Sequence, residues 1–279
     1  MALRRRGSDG PVIDSNRDGV FEAAVSVWRR NLASVRDVVR QQLVARQLRE
    51  HLPGPGEPGL QVLDAGCGQG TQALELARLG HRVLGVDVSE RLLGLAREAA
   101  VREPLDVRRR LAFEHADLLC LGAQSAARFD LVCCHGVLMY LPSLGEAVKA
   151  LIATARPDGL LSILTRNRAG IAMRAGMSGD WSSALDAFDA RTYTNRLGIE
   201  DARAHDPTEV RRALVDHGAD TVAWYGVRLF CDPWPTAEPP PDVDKLIAAE
   251  DQAGRRDPYR SLAALTHTIA RARTGLERT

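Results

Sequence analysis

The chain alternates short apolar runs with longer segments in which apolar residues recur every three or four positions. Short runs of this kind predict buried strands, and the longer segments predict amphipathic helices. Strands are expected at residues 60–66, 81–89, 111–118, 129–137, 160–167, 222–232 and 265–273. Helices are expected at residues 71–80, 90–100, 145–159, 206–218 and 242–254. The alternation predicts an α/β fold with a doubly wound, mostly parallel, seven-stranded sheet.

The segments outside this pattern define the other parts of the chain. Residues 1–18 are rich in Arg, Gly, Asp and Ser and predict a disordered basic arm. Apolar residues at helical spacing predict N-terminal helices within residues 19–52. Residues 166–206 follow a strand end and mix Gly, Ser, Met and Trp without a stable period, which predicts a lid or substrate insertion. A single domain, residues 19–279, is expected, with a cofactor-binding core at 60–165 and the C-terminal half of the sheet at 207–279.

Composition and charge narrow the class of protein. The formal net charge is +1, so bulk charge predicts neither a nucleic-acid nor a membrane partner. The five cysteines show no CxxC pair and no zinc-site spacing, which predicts free thiols, a reducing compartment and no metal. No secretory signal precedes the core, and no apolar run approaches the roughly 20 residues that cross a bilayer. We therefore expect a soluble cytoplasmic protein.

A glycine-rich turn follows the first predicted strand. Gly66, Gly68 and Gly70 lie between that strand and the first helix of the core. Such a turn exposes backbone amides to a ligand at the helix N-terminus. The third glycine comes one residue too early for the G-x-G-x-x-G pattern that holds a dinucleotide pyrophosphate.

Two acids accompany this turn. Asp87 ends the second strand, 19 residues after Gly68, where a carboxylate can accept both hydroxyls of a ribose. Asp64 precedes the glycines, where it would repel a pyrophosphate and attract an ammonium group. A nucleoside with an amino-acid tail and no phosphate satisfies both acids, and S-adenosylmethionine is such a ligand.

The motifs resemble a known family. The segments "VLDAGCGQG" and "VDVS" resemble the glycine motif and acidic strand of class I S-adenosylmethionine-dependent methyltransferases, and "HADLLCL" and "FDLVCCHGVLMYLP" resemble their later motifs. This resemblance implies a Rossmann-like fold and methyltransferase activity. Outside the core, "VRQQL", "RNRAGIAMRAGMSGDW", "HDPTEV", "YGVRLFCD" and "DPYRSLAALTHTIAR" are similar to the bacterial tRNA 5-carboxymethoxyuridine methyltransferases, which esterify a carboxymethoxy group on the wobble uridine.

The resemblance also implies roles for individual residues. Arg40 would bind the carboxylate of the cofactor, Asp87 its ribose, and Ala116 with Asp117 the adenine edge, while His135 would lie beside the methyl donor. The full set of cofactor-binding residues implied is Arg40, Asp64, Gly66, Cys67, Gly68, Asp87, Val88, Ala116, Asp117 and His135.

The acceptor determines which residues take part in the chemistry. A carboxylate is ionised at neutral pH and needs a cation rather than a base, which Arg228, or Arg166 with Arg168, could supply. A phenol or an amine would benefit from a base, and His135 is the candidate nearest the donor. Arg228 and His135 are therefore the catalytic candidates. The substrate-binding candidates are Tyr140, Arg166, Asn167, Trp181, Arg228 and Tyr259.

Blander roles and other functions stay open. His135 could only shape the cofactor pocket, Arg228 could be an exposed strand arginine, and the aromatic candidates could pack in the core or the lid. The favoured acceptor is tRNA or an acidic small molecule. One alternative is a metabolite O- or N-methyltransferase on the same scaffold, and another is a non-catalytic cofactor-binding protein. A monomer or a homodimer is expected.

Overall fold

The computed structural model describes residues 34–54, 56–124, 127–195, 198–234 and 238–274. The predicted basic arm, residues 1–18, and residues 19–33 of the predicted N-terminal helices lie outside this part of the chain. The described residues begin at Ser34, which caps the first helix.

One sheet organises the molecule. Its strands are β1 (Gln61–Ala65), β2 (Arg82–Asp87), β3 (Leu111–His115), β4 (Phe129–His135), β5 (Ala155–Arg166), β8 (Ala219–Val227) and β9 (Leu265–Ala272), and a separate hairpin holds β6 (Thr192–Tyr193) and β7 (Ala202–Arg203). The order is β3-β2-β1-β4-β5-β9-β8, with the first five strands parallel and β9 antiparallel to both neighbours. The predicted mostly parallel, seven-stranded α/β sheet is confirmed.

Helices connect the strands. They are α1 (Val35–Arg49), α2 (Thr71–Arg78), α3 (Glu90–Val101), α4 (Leu105–Arg108), α5 (Leu118–Gln124), α6 (Leu144–Thr154), α7 (Ala169–Met177), α8 (Trp181–Ala187), α9 (Pro207–Asp216), α10 (Val243–Gly254) and α11 (Tyr259–Leu262). A 3₁₀ turn covers Leu138–Tyr140. Capping explains several starts, because the Ser89 hydroxyl accepts from the amide of Leu92 at α3, and Asp206 with Glu209 forms a capping box at α9.

Two segments differ from the pattern expected from the sequence. The helix expected over residues 145–159 ends at Thr154, and the Pro-Asp-Gly that was expected to close it lies inside β5. Strand pairing explains the early end, because Phe129 of β4 pairs with Ala155 and Asp158 then takes a left-handed backbone, with φ 61°. The irregular stretch after β5 contains two short helices, α7 and α8, and the β6–β7 hairpin.

Apolar side chains fill both faces of the sheet. Successive side chains of β1 point to opposite faces of the sheet, so Leu63 and Ala65 lie in one buried cluster and Val62 lies in the other. A third cluster joins Val39 and Leu43 of α1 to the β8 end of the sheet. The sheet is therefore rigid at its centre, and the loops at its carboxyl edge are held on a packed support. None of the helices in the described ranges is long and apolar enough to span a bilayer.

Candidate functional site

A cavity of about 360 Å³ lies at the carboxyl ends of the parallel strands. It spans the place where the strand order reverses between β1 and β4, which is where open α/β sheets bind ligands. Of the residues predicted from the sequence, those that line it are Arg40, Asp64, Gly66, Cys67, Gly68, Asp87, Val88, Ala116, Asp117, His135, Tyr140, Arg166 and Arg228. The fold thus brings together the complete predicted cofactor set and part of the predicted acceptor set.

The glycine turn is tied to the neighbouring strand. The amides of Gly66 and Cys67 both donate to the carbonyl of Val86, at 2.8 and 2.9 Å. Gly66 has φ 77°, and a Cβ built there would lie 2.2 Å from Cγ2 of Val137. Only glycine fits this position, because both the backbone conformation and the space exclude a side chain. The turn therefore presents bare backbone to the cavity.

The two acids of the site are held differently. Asp87 accepts from the amide of Gly68 at 2.8 Å and from the amide of Ser89 at 2.9 Å, one bond to each oxygen. Asp64 is 2% exposed, and its buried Oδ2 has no hydrogen-bond partner among the described residues. Burial, followed by the negative charge of Asp87, raises the pKa of Asp64 to about 7. A cation beside Asp64 would supply the missing partner.

Helix α1 contributes a second pair of charges. Arg40 lines the cavity, and its Nη1 lies 3.8 Å from Oδ1 of Asp37, one turn earlier in the helix. Gln41 donates to Oδ2 of Asp37 at 2.7 Å, and burial raises the pKa of Asp37 to about 6. Asp37 was not singled out from the sequence. The signal available was its i, i+3 spacing to Arg40, which is common on solvated helix faces as well.

A buried hydrogen-bond chain supports His135. Its Nε2 lies 2.8 Å from Oγ of Ser162 on β5, and that oxygen lies 2.8 Å from Nε2 of His267 on β9. Nδ1 of His267 lies 2.8 Å from Oε1 of Gln47 on α1. Burial is the main cause that lowers the pKa of His135, and the nearby His267 lowers it further. Ser162, His267 and Gln47 were not predicted from the sequence.

Further arginines line the same cavity. Arg166 ends β5, and Arg228 directly follows β8 in a left-handed conformation with φ 62°. Both are paired to Asp232, with Nη1 of Arg166 3.5 Å from Oδ2 and Nη2 of Arg228 3.2 Å from Oδ1. The Nε of each arginine is buried and has no hydrogen-bond partner in the part of the chain that the structure describes. Arg174 of α7, missed from the sequence, lines the same region.

A turn held by one carboxylate fixes the position of Arg228. Glu250 of α10 is 1% exposed and accepts from three successive amides, those of Leu229, Phe230 and Cys231, at 2.7, 3.0 and 2.9 Å. A non-glycine residue in the left-handed region is sustained only where its surroundings hold it. Glu250 provides that support, so the backbone of Arg228 is fixed relative to the cavity.

Four predicted residues do not line the cavity. Arg168 instead pairs with Glu209, with its Nη1 3.3 Å from Oε1. Asn167 is buried, and its amide donates to the carbonyls of Ser261 and Ala263 at 2.9 and 2.8 Å, which is a structural role. Trp181 on α8 is 70% exposed, and Tyr259 at the start of α11 is 50% exposed. Tyr140 does line it and accepts a hydrogen bond from Asn195, in the segment predicted to be a lid, at 2.8 Å.

Comparisons with known proteins agree with this geometry. Residues 62–159 match the family described as methyltransferase domain. The tRNA 5-carboxymethoxyuridine methyltransferase of Escherichia coli strain K12 is 26% identical over 257 residues, which cover 91% of this chain and 97% of that protein. The ubiquinone biosynthesis O-methyltransferase of Methylocella silvestris is 35% identical over 153 residues, which cover 54% of this chain and 57% of that protein.

Solved structures show the same fold. The magnesium protoporphyrin IX methyltransferase of Synechocystis PCC 6803 with bound SAH aligns with a TM-score of 0.61 at 19% identity, covering 93% of this chain and all of that one. An S-adenosylmethionine-dependent methyltransferase of Mesorhizobium loti aligns with a TM-score of 0.54 at 19% identity, covering 82% and 97% of the two chains. The predictions of a class I methyltransferase fold, of methyltransferase activity and of S-adenosylmethionine as cofactor are confirmed.

Proposed function

We propose that this S-adenosylmethionine-dependent methyltransferase forms a methyl ester on a carboxylate acceptor, and that the acceptor is the carboxymethoxy group of a tRNA wobble uridine. The observation that carries the proposal is a pair of arginines, the buried Arg166 and the partly buried Arg228, which both line the cavity of the predicted cofactor residues. The similarity over 91% of the chain to a tRNA 5-carboxymethoxyuridine methyltransferase supports the tRNA acceptor.

The residues at the carboxyl ends of β1 and β2 fit the cofactor. The unpartnered Oδ2 of Asp64 suits the ammonium group of its amino-acid tail, and the tight turn at Gly66 leaves backbone open to the ligand. Asp87 suits the ribose hydroxyls, because its two oxygens have lone pairs beyond those that accept from backbone amides. Arg40 suits the carboxylate of the tail.

Methyl transfer to a carboxylate requires little acid–base catalysis from the protein. S-adenosylmethionine supplies a methyl carbon bonded to a positively charged sulfur. A carboxylate acceptor is already ionised at neutral pH, so no side chain has to remove a proton. The protein contributes alignment and the exclusion of water. Burial lowers the pKa of His135, which makes it a weak proton acceptor and agrees with a reaction that needs no base.

The arginine pair can hold the acceptor. Arg166 and Arg228 share the single carboxylate of Asp232, so the group keeps a net positive charge. Both guanidinium groups line the cavity, and a bound carboxylate would provide two oxygens as hydrogen-bond acceptors. The ring of Tyr193 lies 5.4 Å from the Arg166 guanidinium and covers it from the lid side.

The lid offers an apolar face outside the cavity. Met177, Trp181, Leu185 and Phe188 are each about 70% exposed, and the last three are spaced along one face of α8 and the residue after it. Contiguous exposed apolar groups mark interaction surfaces, and aromatic rings stack on the unpaired bases of RNA loops. This face supports a macromolecular acceptor.

A second candidate is a small acidic metabolite as the acceptor. The net charge of +1 favours it, because proteins that grip a phosphate backbone usually carry a basic surface. The same arginine pair would hold a small carboxylate.

One assay separates the two acceptors. Purified protein and S-adenosylmethionine are incubated with tRNA that carries 5-carboxymethoxyuridine, or with a panel of small carboxylic acids, and the products are identified by mass spectrometry. Methylation of the tRNA nucleoside supports the proposal. Methylation of small acids alone favours the second candidate, and the absence of any methyl ester contradicts both.

A pair of variants tests the role of Arg228. Arg228→Gln should lower kcat/KM for the acceptor by at least about tenfold, because it removes a charged hydrogen-bond donor to the carboxylate. Affinity for S-adenosylhomocysteine should change by less than about threefold. The matched control is Arg82→Gln, which removes one positive charge from the exposed start of β2, at the opposite edge of the sheet. Equal losses in both variants would reject the role.

A further inference from the structure

A third arginine lines the cavity beside Arg166 and Arg228. Arg174 lies on α7 and is partly buried. It makes no ion pair and no side-chain hydrogen bond with any residue in the described ranges. Arg166 and Arg228, by contrast, are both paired to Asp232. Arg174 therefore brings to the cavity a positive charge that no carboxylate of the described chain neutralises.

Packing determines how this face of α7 is turned. Nη2 of Arg166 donates to the carbonyl of Gly170, in the first turn of α7, at 3.0 Å. A Cβ built on Gly170 would lie 2.7 Å from Cα of Ala264, so the helix backbone packs directly against the chain that leads into β9. Arg174 lies one turn beyond Gly170, and residues four apart share a helix face. Burial lowers the pKa of Arg166, and the nearby charges of Arg228 and Arg174 lower it further, in agreement with this placement.

The acids of the cavity belong to other elements. Those that line it are Asp37 on α1, Asp64 on β1, Glu75 on α2, Asp87 on β2 and Asp117 after β3. The three arginines lie on β5, directly after β8 and on α7, and the acid paired with two of them is Asp232. Three arginines and one aspartate leave two positive charges. A carboxylate acceptor supplies one negative charge, so it leaves this part of the cavity positive.

We propose that Arg174 forms a second anion subsite beside the arginine pair, and that this subsite binds the 5′-phosphate of the nucleotide whose carboxylate is methylated. The inference rests on the proposed methyl ester of a modified uridine. In the anti conformation of a pyrimidine nucleotide, the C5 edge of the base lies on the side of the 5′-phosphate. A carboxylate carried on C5 and that phosphate can therefore enter one cavity together. The planar guanidinium group of an arginine matches the oxygens of a phosphate.

The two anions of the acceptor differ in what the reaction does to them. Methylation removes the negative charge of the carboxylate, so the attraction of Arg166 and Arg228 for that group falls once the ester forms. The phosphate stays ionised throughout, and its contact with Arg174 is the same before and after the transfer. Such a contact adds affinity rather than rate, and it favours nucleotides over small acids that carry no second anion.

A pair of matched acceptors tests the subsite. Purified protein and S-adenosylmethionine are incubated with 5-carboxymethoxyuridine or with its 5′-monophosphate, and the readout is the ratio of the two kcat/KM values. In the wild type the ratio should favour the monophosphate by at least about tenfold, because a charged group gains hydrogen bonds. In Arg174→Gln the ratio should fall below about threefold. Arg228→Gln should lower kcat/KM for both acceptors and leave the ratio as it is in the wild type.

Arg203→Gln is the matched control for this ratio. It removes the same charge from an exposed position of β7 that does not line the cavity, so the wild-type ratio should persist. A wild-type ratio near one, or a tenfold preference that survives Arg174→Gln, would overturn the subsite. Equal losses in Arg174→Gln and Arg203→Gln would assign the preference to net charge and would overturn it as well.

A binding measurement separates this inference from the proposed function. Uridine and uridine 5′-monophosphate carry no methyl acceptor, and each is titrated into the complex with S-adenosylhomocysteine by calorimetry. The monophosphate should bind the wild type at least about tenfold more tightly than uridine, and Arg174→Gln less than about threefold more tightly. This preference without any methyl ester would reject the proposed function and retain the subsite. Methyl esters on both acceptors with equal affinities for the two uridine ligands would reject the subsite and retain the proposed function.

Discussion

Replacement of Gly66 by alanine should disrupt the cofactor turn by a mechanism that a matched control can isolate. Gly66 has φ 77°, and an added Cβ would lie 2.2 Å from Cγ2 of Val137. Gly179, between α7 and α8, has nearly the same φ of 78°, but a Cβ there meets nothing within 4 Å. Gly66→Ala therefore combines a backbone penalty with an overlap, whereas Gly179→Ala carries only the backbone penalty.

The expected magnitudes follow from these two terms. A left-handed alanine costs about 1–2 kcal/mol, and overpacking of a rigid contact adds about 1–3 kcal/mol. The free energy of unfolding should therefore fall by about 1–2 kcal/mol in Gly179→Ala and by about 2–5 kcal/mol in Gly66→Ala. Only Gly66→Ala should also weaken the binding of S-adenosylhomocysteine, by at least about tenfold, because its turn faces the cavity.

Urea denaturation and calorimetry measure both quantities. Val137→Ala removes the methyl group that the new Cβ would strike, so Gly66→Ala should cost less in that background, by about 1 kcal/mol or more. Equal losses of stability at Gly66 and Gly179, or no relief from Val137→Ala, would show that the contact with Val137 does not restrict the turn.

Three further outcomes follow from the site. Asp87→Ala should lower the affinity for S-adenosylhomocysteine, measured by calorimetry, at least about tenfold, because hydrogen bonds to a charged group are lost. An unchanged affinity would show that Asp87 does not bind the cofactor. The pKa of Asp64 is about 7 in the free protein, and the ammonium group of a bound cofactor should lower it. Cofactor binding should therefore release roughly half a proton at pH 7 and almost none at pH 9. Calorimetric titration in buffers of different ionisation enthalpy measures this release, and Asp64→Asn should abolish it. Glu250→Gln should lower the free energy of unfolding, measured in urea, by about 1–3 kcal/mol and should raise KM for the acceptor. The reason is that the turn at Arg228 loses the carboxylate that accepts from three of its amides. Unchanged values would show that Glu250 does not hold this turn.

The sequence predicted the parts of the molecule that local patterns encode. The seven strands follow from buried apolar runs, and the turn at Gly66 with Asp64 and Asp87 follows from a short motif at a strand end. Helix α5 was missed, because its residues 118–124 directly follow a predicted strand and are too few to show a helical period. Helices α7 and α8, which lie in the segment predicted to be a lid, were missed for a similar reason, since Gly and Ser interrupt their short apolar patterns.

Contacts between distant segments could not be predicted in this way. Gln47 and His267 are 220 residues apart, and Arg166 and Asp232 are 66 residues apart. The sequence around Gln47 and Asp232 does not identify the residues that they contact. In the sequence, a buried glutamine of an amphipathic helix cannot be distinguished from a solvent-exposed one. Their roles depend on strand order and register, which one sequence without relatives does not specify.

Strand direction explains why the arginines face the cofactor residues at all. Strand β9 runs antiparallel to both β5 and β8, so β5 and β8 run parallel to each other. Leu265 at the start of β9 pairs with Arg166 on one side and with Val227 on the other, which places Arg228 at the same edge of the sheet as the glycine turn. Had β8 paired directly and antiparallel with β5, Arg228 would emerge at the opposite edge, where it could not meet an acceptor beside the cofactor. The inserted strand is thus a requirement for the acceptor half of the cavity, and the left-handed backbone at Arg228 completes it by turning the chain at that edge.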